Sequence, residues 1–185
     1  MNVVAYTKEM MKLLSNQVME IPSARSEVEF RLLDGRTEFF ELSSTGPIEF
    51  KFETPVNHDN GETTIDLEIL KFEVEAMSKV LWPGQQVKMS GGRNIRHEAL
   101  PIRGRVVIPE GKDLMDGVES IQDVYIQIET PSGTFHNTEA IQMTGSVRGV
   151  PPVDVTFRSS TVTKIYDENM EQQMDVYGCA STTPY

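Results

Sequence analysis

The first clear pattern in the chain is the alternation of hydrophobic and charged residues after position 26. Val28, Phe30 and Leu32 alternate with charged residues, which is the spacing of a half-buried β-strand. Asp34-Gly35 then supplies turn residues, and a second extended run follows directly. The pattern predicts a β-hairpin at the start of the β-rich region.

Alternation continues to the end of the chain, with Gly, Pro and Ser clusters between the extended runs. These runs span residues 48–52, 63–76, 86–89, 103–108, 121–129, 135–147, 153–165 and 172–176. Within 63–76 the hydrophobic parity changes near Ile69-Leu70, which predicts a β-bulge or a sharp bend.

Nine or ten strands without helices between them predict an antiparallel, lipocalin-like β-barrel, with a β-sandwich as the alternative. We favour the barrel because long strands would leave unpaired edges in an open sheet.

The N-terminal segment has a helical period instead. Met10, Leu14 and Val18 continue a series of hydrophobic residues that recur every three or four positions, which predicts one amphipathic helix over residues 2–20. Pro22 ends it. The helix is rich in methionine, which adapts to irregular apolar surfaces, so it is a candidate lid over a barrel mouth. The alternative is a helix packed permanently on the barrel.

The length of 185 residues fits one domain. Within it we expect the helix at 2–20, the barrel at 27–177 and a loose tail at 178–185.

Composition narrows the partners and the compartment. The chain has 28 acidic against 17 basic residues and a net charge of −11, which argues against nucleic acid. No run of about 18 apolar residues and no secretory signal pattern is present, and we expect no membrane association. A single cysteine, Cys179, excludes an intramolecular disulfide. We therefore expect a cytoplasmic protein.

Known catalytic patterns are missing from the sequence. The three histidines, His58, His97 and His136, have no metal-ligand spacing. No serine nucleophile elbow or phosphate-binding glycine loop occurs. We expect no cofactor and no metal, although a cupin-like metal enzyme remains a weaker alternative.

Run 121–129 places a polar residue on an apolar face. Val124 and Ile126 have the same parity as Gln122, so an inward amide is expected among apolar side chains. A cavity with apolar walls and a few polar groups is the usual composition of a small-molecule site, of about 300–1,000 Å³.

Run 135–147 also places polar residues on the same face as apolar ones. Asn137 and Glu139 share the parity of Met143. If Glu139 is buried, desolvation raises its pKa and makes it a hydrogen-bond-donating acid. The alternative is that these polar residues, with Gln122, lie at strand ends and face water.

A helix over residues 2–20 followed by strands from 27 to 176, in an acidic chain without disulfides, resembles the lipocalin-like cyclases of bacterial polyketide pathways. The resemblance concerns layout and implies a barrel that binds a flexible polyene and promotes an intramolecular [4+2] closure. It also implies an N-terminal helix that, in some members, folds over the substrate. The resemblance rests on no sequence motif. The residue roles given below therefore come from the face analysis alone, that is, from which residues of runs 121–129 and 135–147 share the apolar face of their strand.

The function expected on this basis is cyclisation of an apolar small molecule by shape and hydrogen bonding. Gln122 and Glu139 are the candidate catalytic residues. Candidate substrate-binding residues are Met10, Leu14, Phe72, Trp82, Val124, Ile126, Asn137, Met143 and Phe157. The competing function is a non-catalytic β-sandwich for protein interaction or assembly, and a homodimer is left open.

Overall fold

The computed structural model describes residues 8–93, 100–149 and 152–183. This part contains one helix, one 3₁₀ turn (Leu114–Asp116) and fifteen strands. The helix is α1 (Lys8–Leu14), and the strands are β1 (Met19–Ile21), β2 (Arg25–Leu32), β3 (Thr37–Ser44), β4 (Ile48–Phe52), β5 (Val56–Asn57), β6 (Thr63–Met77), β7 (Gln86–Gly92), β8 (Ile102–Ile108), β9 (Val118–Val124), β10 (Gln127–Thr130), β11 (Gly133–Asn137), β12 (Ile141–Val147), β13 (Val155–Arg158), β14 (Thr163–Tyr166) and β15 (Gln172–Thr183). The described helix is too short to cross a membrane.

The predicted hairpin is confirmed as the antiparallel pair β2–β3. Its inward positions include Val28 and Phe30 on β2 and Phe40 and Leu42 on β3, and all four are buried. Alternation therefore places one apolar face of the hairpin in the core, as the pattern predicts.

The predicted bulge is also present in β6. Lys71 pairs with Glu49 and Ile69 with Phe50, so Leu70 is an extra residue opposite β4. The bulge reverses the side-chain parity, and both Ile69 and Phe72 consequently face the barrel interior.

The strands pair antiparallel in two closed rings that share β6, β3, β2 and β15. The lower ring runs β6–β8–β9–β12–β13–β15–β2–β3 and returns to β6. In the upper ring, the path from β6 to β15 runs through β7, β10, β11 and β14 in place of β8, β9, β12 and β13. Since each ring closes on itself, the barrel prediction is confirmed and the two-layer sandwich is wrong for this fold.

The upper ring is filled by its own side chains. Phe30 and Phe40 pack with ring centroids 4.8 Å apart, and Ile128, Ile165 and Met174 are fully buried around them. These side chains form a conventional, closely packed apolar core.

The outer end of the upper ring is closed by the loop between β6 and β7. The buried carboxylate of Glu38 accepts hydrogen bonds from the Ser78 hydroxyl at 2.7 Å and from the backbone N–H groups of Lys79 and Leu81 at 2.5 and 2.9 Å. Burial alone would raise the pKa of Glu38, but these donors lower it below its usual value. The loop is thereby fixed over the core.

The helix prediction is wrong at its C-terminal end. The helix ends at Leu14, and Met19 already belongs to β1, which pairs with β4. Asn16 has a positive φ of 63°, a common way to end a helix, and its N–H donates to the carbonyl of Phe52 at 2.7 Å. Val18, which extended the helical pattern, is consequently 59% exposed. Residues 2–7 of the predicted helix lie outside the described residues.

The prediction of a loose tail is wrong up to residue 183. Strand β15 continues to Thr183 and pairs with β13 and β2. Gly178 has a positive φ of 65°, and the pairing register with β2 shifts between Tyr177 and Ala180. This irregularity bends β15 from the upper ring into the lower ring. Residues 184–185 lie outside the described residues.

Candidate ligand-binding cavity

The lower ring is hollow, in contrast to the upper ring. Its cavity is lined by side chains from β1, β2, β4, β6, β8, β9, β12, β13 and β15. Val74, Met89 and Ile126 form the boundary with the filled upper core. Glu27 is an exposed residue of the wall and marks a place where the cavity approaches solvent.

The cavity is smaller than the sequence led us to expect. Its volume is about 110 Å³. Apolar cavities of about 150 Å³ can bind benzene, so a longer ligand requires flexible wall residues such as Met143 to move.

Two polar side chains point into this apolar space from β9. Ser120 is fully buried, and its hydroxyl has no hydrogen-bond partner among the described residues. Gln122, two positions further along the same face, is 7% exposed and lines the cavity. Its amide likewise has no hydrogen bond within the described part of the chain. An unsatisfied buried hydroxyl such as that of Ser120 costs about 1–3 kcal/mol, so Ser120, with Gln122 beside it on the same face, is a candidate ligand contact.

The neighbouring strands leave space for these side chains. Gly104 pairs with Gln122, and a Cβ there would lie 2.9 Å from the Gln122 Cγ. Gly145 pairs with Ser120, and a Cβ there would lie 2.8 Å from Cδ1 of Phe157. Both glycines therefore permit close approach on the inner surface of the barrel.

The cavity wall carries little charge. Among the described residues, Glu27 and Cys179 are its ionisable side chains, and no Lys, Arg or His lines it. Burial raises the pKa of the Cys179 thiol to about 12, so this group is neutral at physiological pH. The wall thus offers no cation to a bound anion.

Several predicted binding residues lie in the cavity wall. The structure places Phe72, Val124, Ile126, Met143 and Phe157 there. They come from four parts of the chain and converge because the lower ring closes.

The predicted helix contribution is less direct. Leu14 packs against the core but is not part of the cavity wall. Met11, which the sequence did not single out, is a buried residue of α1, at 1% exposure. The side chain of Met10 lies outside the described residues.

Trp82 is not a wall residue either. It packs against the core in the β6–β7 loop, and its indole N–H donates to the hydroxyl of Ser132 at 2.7 Å. Its structural role is at the opposite end of the barrel from the cavity.

Asn137 is buried as the face analysis predicts, but its amide binds the chain itself. Its Oδ1 accepts from the N–H of Ile126 at 2.7 Å, and its Nδ2 donates to the carbonyls of Val124 and Glu139 at 3.0 and 2.8 Å. These bonds bridge the break between β9 and β10. Asn137 is therefore a structural residue, outside the cavity wall.

The prediction of Glu139 as a buried acid is wrong. The side chain is exposed and does not line the cavity. The sequence pattern treated residues 135–147 as one strand, but β11 ends at Asn137 and β12 begins at Ile141. Glu139 lies in the bend between them, where strand alternation does not apply.

Ser120 is the main residue that sequence reasoning missed. The predicted strand began at Ile121, whereas β9 begins at Val118. Extending the alternation by one step from Gln122 would have placed Ser120 on the inner face.

The described residues contain no group of three or more His, Cys, Asp and Glu side chains that could hold a metal ion. His58 lies near the β5–β6 turn with its Nε2 2.8 Å from the hydroxyl of Thr64. His136 is half-buried in β11, and His97 lies outside the described residues.

No family model matches the chain, and no curated protein matches it. A solved structure does match, that of DynF from the dynemicin biosynthesis pathway of Micromonospora chersina. The chain is similar in fold to DynF. The match has a TM-score of 0.69 at 11% sequence identity, and it covers 89% of this chain and 82% of DynF. At this identity the similarity to DynF shows a shared fold, over nearly the whole of both chains.

Proposed function

We propose that the protein binds a largely apolar small molecule in the hollow lower ring of the barrel. The observation that carries the proposal is the hydroxyl of Ser120, which is buried in the wall of an apolar cavity without a partner in the described chain, beside the cavity-lining amide of Gln122. A cavity of this composition is typical of a small-molecule site. The shared fold with DynF, a protein of a biosynthesis pathway, is consistent with a biosynthetic role.

The most direct test uses n-butylbenzene as an apolar probe and isothermal titration calorimetry of the full chain. We expect saturable binding to the wild-type protein. Met143→Trp should abolish it, because Met143 lines the cavity beside Gln122, its pairing partner on β9, and the larger ring fills the space. Leu33→Trp is the matched control, since Leu33 is an exposed turn residue, and it should bind as the wild type does. Absence of binding to the wild type, or equal binding to Met143→Trp, would contradict the proposal.

The finer proposal is that the bound molecule cyclises by an intramolecular [4+2] reaction. Such a reaction converts two π bonds into two C–C σ bonds, and no atom enters or leaves. A folded substrate and a hydrogen bond that withdraws electron density from the dienophile accelerate it, and it needs no acid–base pair. The Gln122 amide can donate that bond, so the exposure of Glu139 does not weaken this mechanism.

A linear trienone with an enone at one end and a conjugated diene at the other tests the finer proposal. Gas chromatography would measure formation of the bicyclic ketone with and without protein. We expect acceleration by the wild type and about 10²-fold less by Gln122→Leu, within the range for loss of one oriented donor. If the trienone binds but closes at the rate in buffer, the protein is a carrier and not a cyclase.

A further inference from the structure

We infer that the ligand is held through one neutral carbonyl group, bound jointly by Ser120 and Gln122, and that carboxylates are excluded. The inference rests on the proposed function and narrows its ligand class to apolar ketones, esters and amides. It follows from the positions of two donors, their lack of partners and the charge of the cavity wall.

The two donors are placed to share one acceptor. Ser120 and Gln122 are successive inward residues of β9, about 6.6 Å apart along the strand. The glutamine side chain is long enough to cover much of this separation, and Gly104 leaves space beside its stem. A carbonyl oxygen has two lone pairs, so it can accept one bond from the hydroxyl and one from the amide.

The missing partner of the Ser120 hydroxyl indicates that this hydroxyl does not hold the fold together. The hydroxyls of two other buried serines have partners: Ser78 bonds Glu38, and Ser159 lies 3.0 Å from the Thr161 hydroxyl. Ser120 is at least as buried as either and has no partner in the described chain. Because neighbouring atoms cover the Ser120 hydroxyl, a ligand reaches its unmet hydrogen bond when flexible cavity side chains such as Met143 move aside.

The charge of the wall selects a neutral group. Glu38 shows what a buried carboxylate requires here, namely a hydroxyl and two backbone N–H groups. Around Ser120 the backbone N–H groups face neighbouring strands in the barrel wall, and no Lys, Arg or His side chain among the described residues lines the cavity. A carboxylate would therefore be desolvated without adequate compensation. A neutral carbonyl has no such penalty.

Three probes of similar size separate these possibilities. They are n-butylbenzene, its ketone analogue butyrophenone, and 4-phenylbutyrate at pH 8, where the acid is ionised. We expect the first two to bind the full chain and 4-phenylbutyrate to bind at least about 100-fold more weakly than the ketone. Ser120→Ala and Gln122→Leu should each weaken butyrophenone about five- to tenfold, the effect of one lost hydrogen bond. Neither substitution should weaken n-butylbenzene.

Infrared spectroscopy of bound butyrophenone provides a readout that does not depend on a variant folding. Its carbonyl stretch in the wild-type protein should lie at lower wavenumber than in hexane, because hydrogen bonds weaken the C=O bond. Each substitution should move it back towards the hexane value. Ser159→Ala, a buried serine outside the cavity wall, is the matched control and should leave the stretch unchanged.

The outcomes distinguish this inference from the proposed function. If n-butylbenzene binds but the butyrophenone stretch equals that in hexane, or if 4-phenylbutyrate binds as tightly as the ketone, the neutral-carbonyl site is wrong and apolar binding stands. If neither n-butylbenzene nor butyrophenone binds the wild-type protein, the proposed function itself is wrong.

Discussion

Two buried serines should respond to the same substitution with opposite signs. Ser120 is fully buried with no partner in the described chain, whereas Ser78, also buried, donates to Glu38 at 2.7 Å and accepts from the N–H of Trp82 at 2.8 Å. Ser120→Ala removes an unsatisfied hydroxyl and should stabilise the ligand-free protein by about 1 kcal/mol. The gain is at the low end of the range because alanine favours strands slightly less than serine does.

Ser78→Ala should destabilise the protein. It removes a hydrogen bond to a charged group, worth about 1.5–3 kcal/mol, and leaves the Trp82 N–H without its acceptor at a further cost of about 1 kcal/mol. For a chain of this size, 1 kcal/mol corresponds to about 2–4 °C in Tm. The expected changes in Tm are therefore about +2 to +4 °C for Ser120→Ala and about −5 to −16 °C for Ser78→Ala.

Urea unfolding of both variants, followed by circular dichroism, measures these effects. The protein should first be unfolded and refolded to remove any bound ligand, because a ligand at Ser120 would reverse the sign. If Ser120→Ala lowers the free energy of unfolding by more than about 1 kcal/mol, its hydroxyl has a structural partner and the reasoning about the cavity fails.

Three further predictions concern other parts of the fold. The pKa of Glu38 is depressed in the folded protein. The stability that its carboxylate contributes is therefore present above the unfolded pKa of about 4.3 and is lost as the pH falls through the folded pKa. Glu38→Gln should consequently flatten the decline of the urea unfolding midpoint between pH 5 and 3. Gly104→Ala should lower the free energy of unfolding by about 1–3 kcal/mol and weaken butyrophenone binding, because the new Cβ would lie 2.9 Å from the Gln122 Cγ. Unchanged affinity for butyrophenone would show that the Gln122 amide is not held beside Gly104. Burial raises the pKa of Cys179 to about 12, so its thiol should react with a thiol reagent at pH 8 about a thousandfold more slowly than free cysteine. The absorbance of the released reagent group measures this rate. A rate near that of free cysteine would contradict the burial of Cys179.

Strand parity predicted the β-rich fold and much of its inner surface, while the length of the strands favoured a barrel over a sandwich. The pattern placed the bulge at Leu70 and the inward face that contains Gln122, Val124 and Ile126, because a closed sheet with one apolar side leaves a strand few alternatives. These features depend on local alternation and on the need to bury the apolar face of each strand, and a single sequence is enough to predict both.

The errors arose where the chain departs from a regular element. The alternation through Asn137 and Glu139 continued across a bend, so it could not show that one side chain is buried and the other exposed. The helical period likewise continued past Asn16, whose positive φ ends α1. Such breaks depend on long-range hydrogen bonds, here to Phe52 for Asn16 and to Ile126 for Asn137.

The division into a filled upper ring and a hollow lower ring also could not be predicted from the pattern of hydrophobic and polar residues. Both rings have apolar inward residues, and the difference is one of volume. It depends on how aromatic side chains such as Phe30 and Phe40 pack across the barrel, which strand parity does not specify.

The central claim is that a ligand enters the lower ring and leaves the upper ring unaffected. Methyl NMR of isoleucine-labelled protein titrated with n-butylbenzene tests it most directly. The account predicts shifts at the cavity residues Ile65, Ile102 and Ile141, and no shift at Ile128 and Ile165, which lie in the upper core. Shifts confined to the upper residues, or no shift at any of the five under saturating probe, would contradict it.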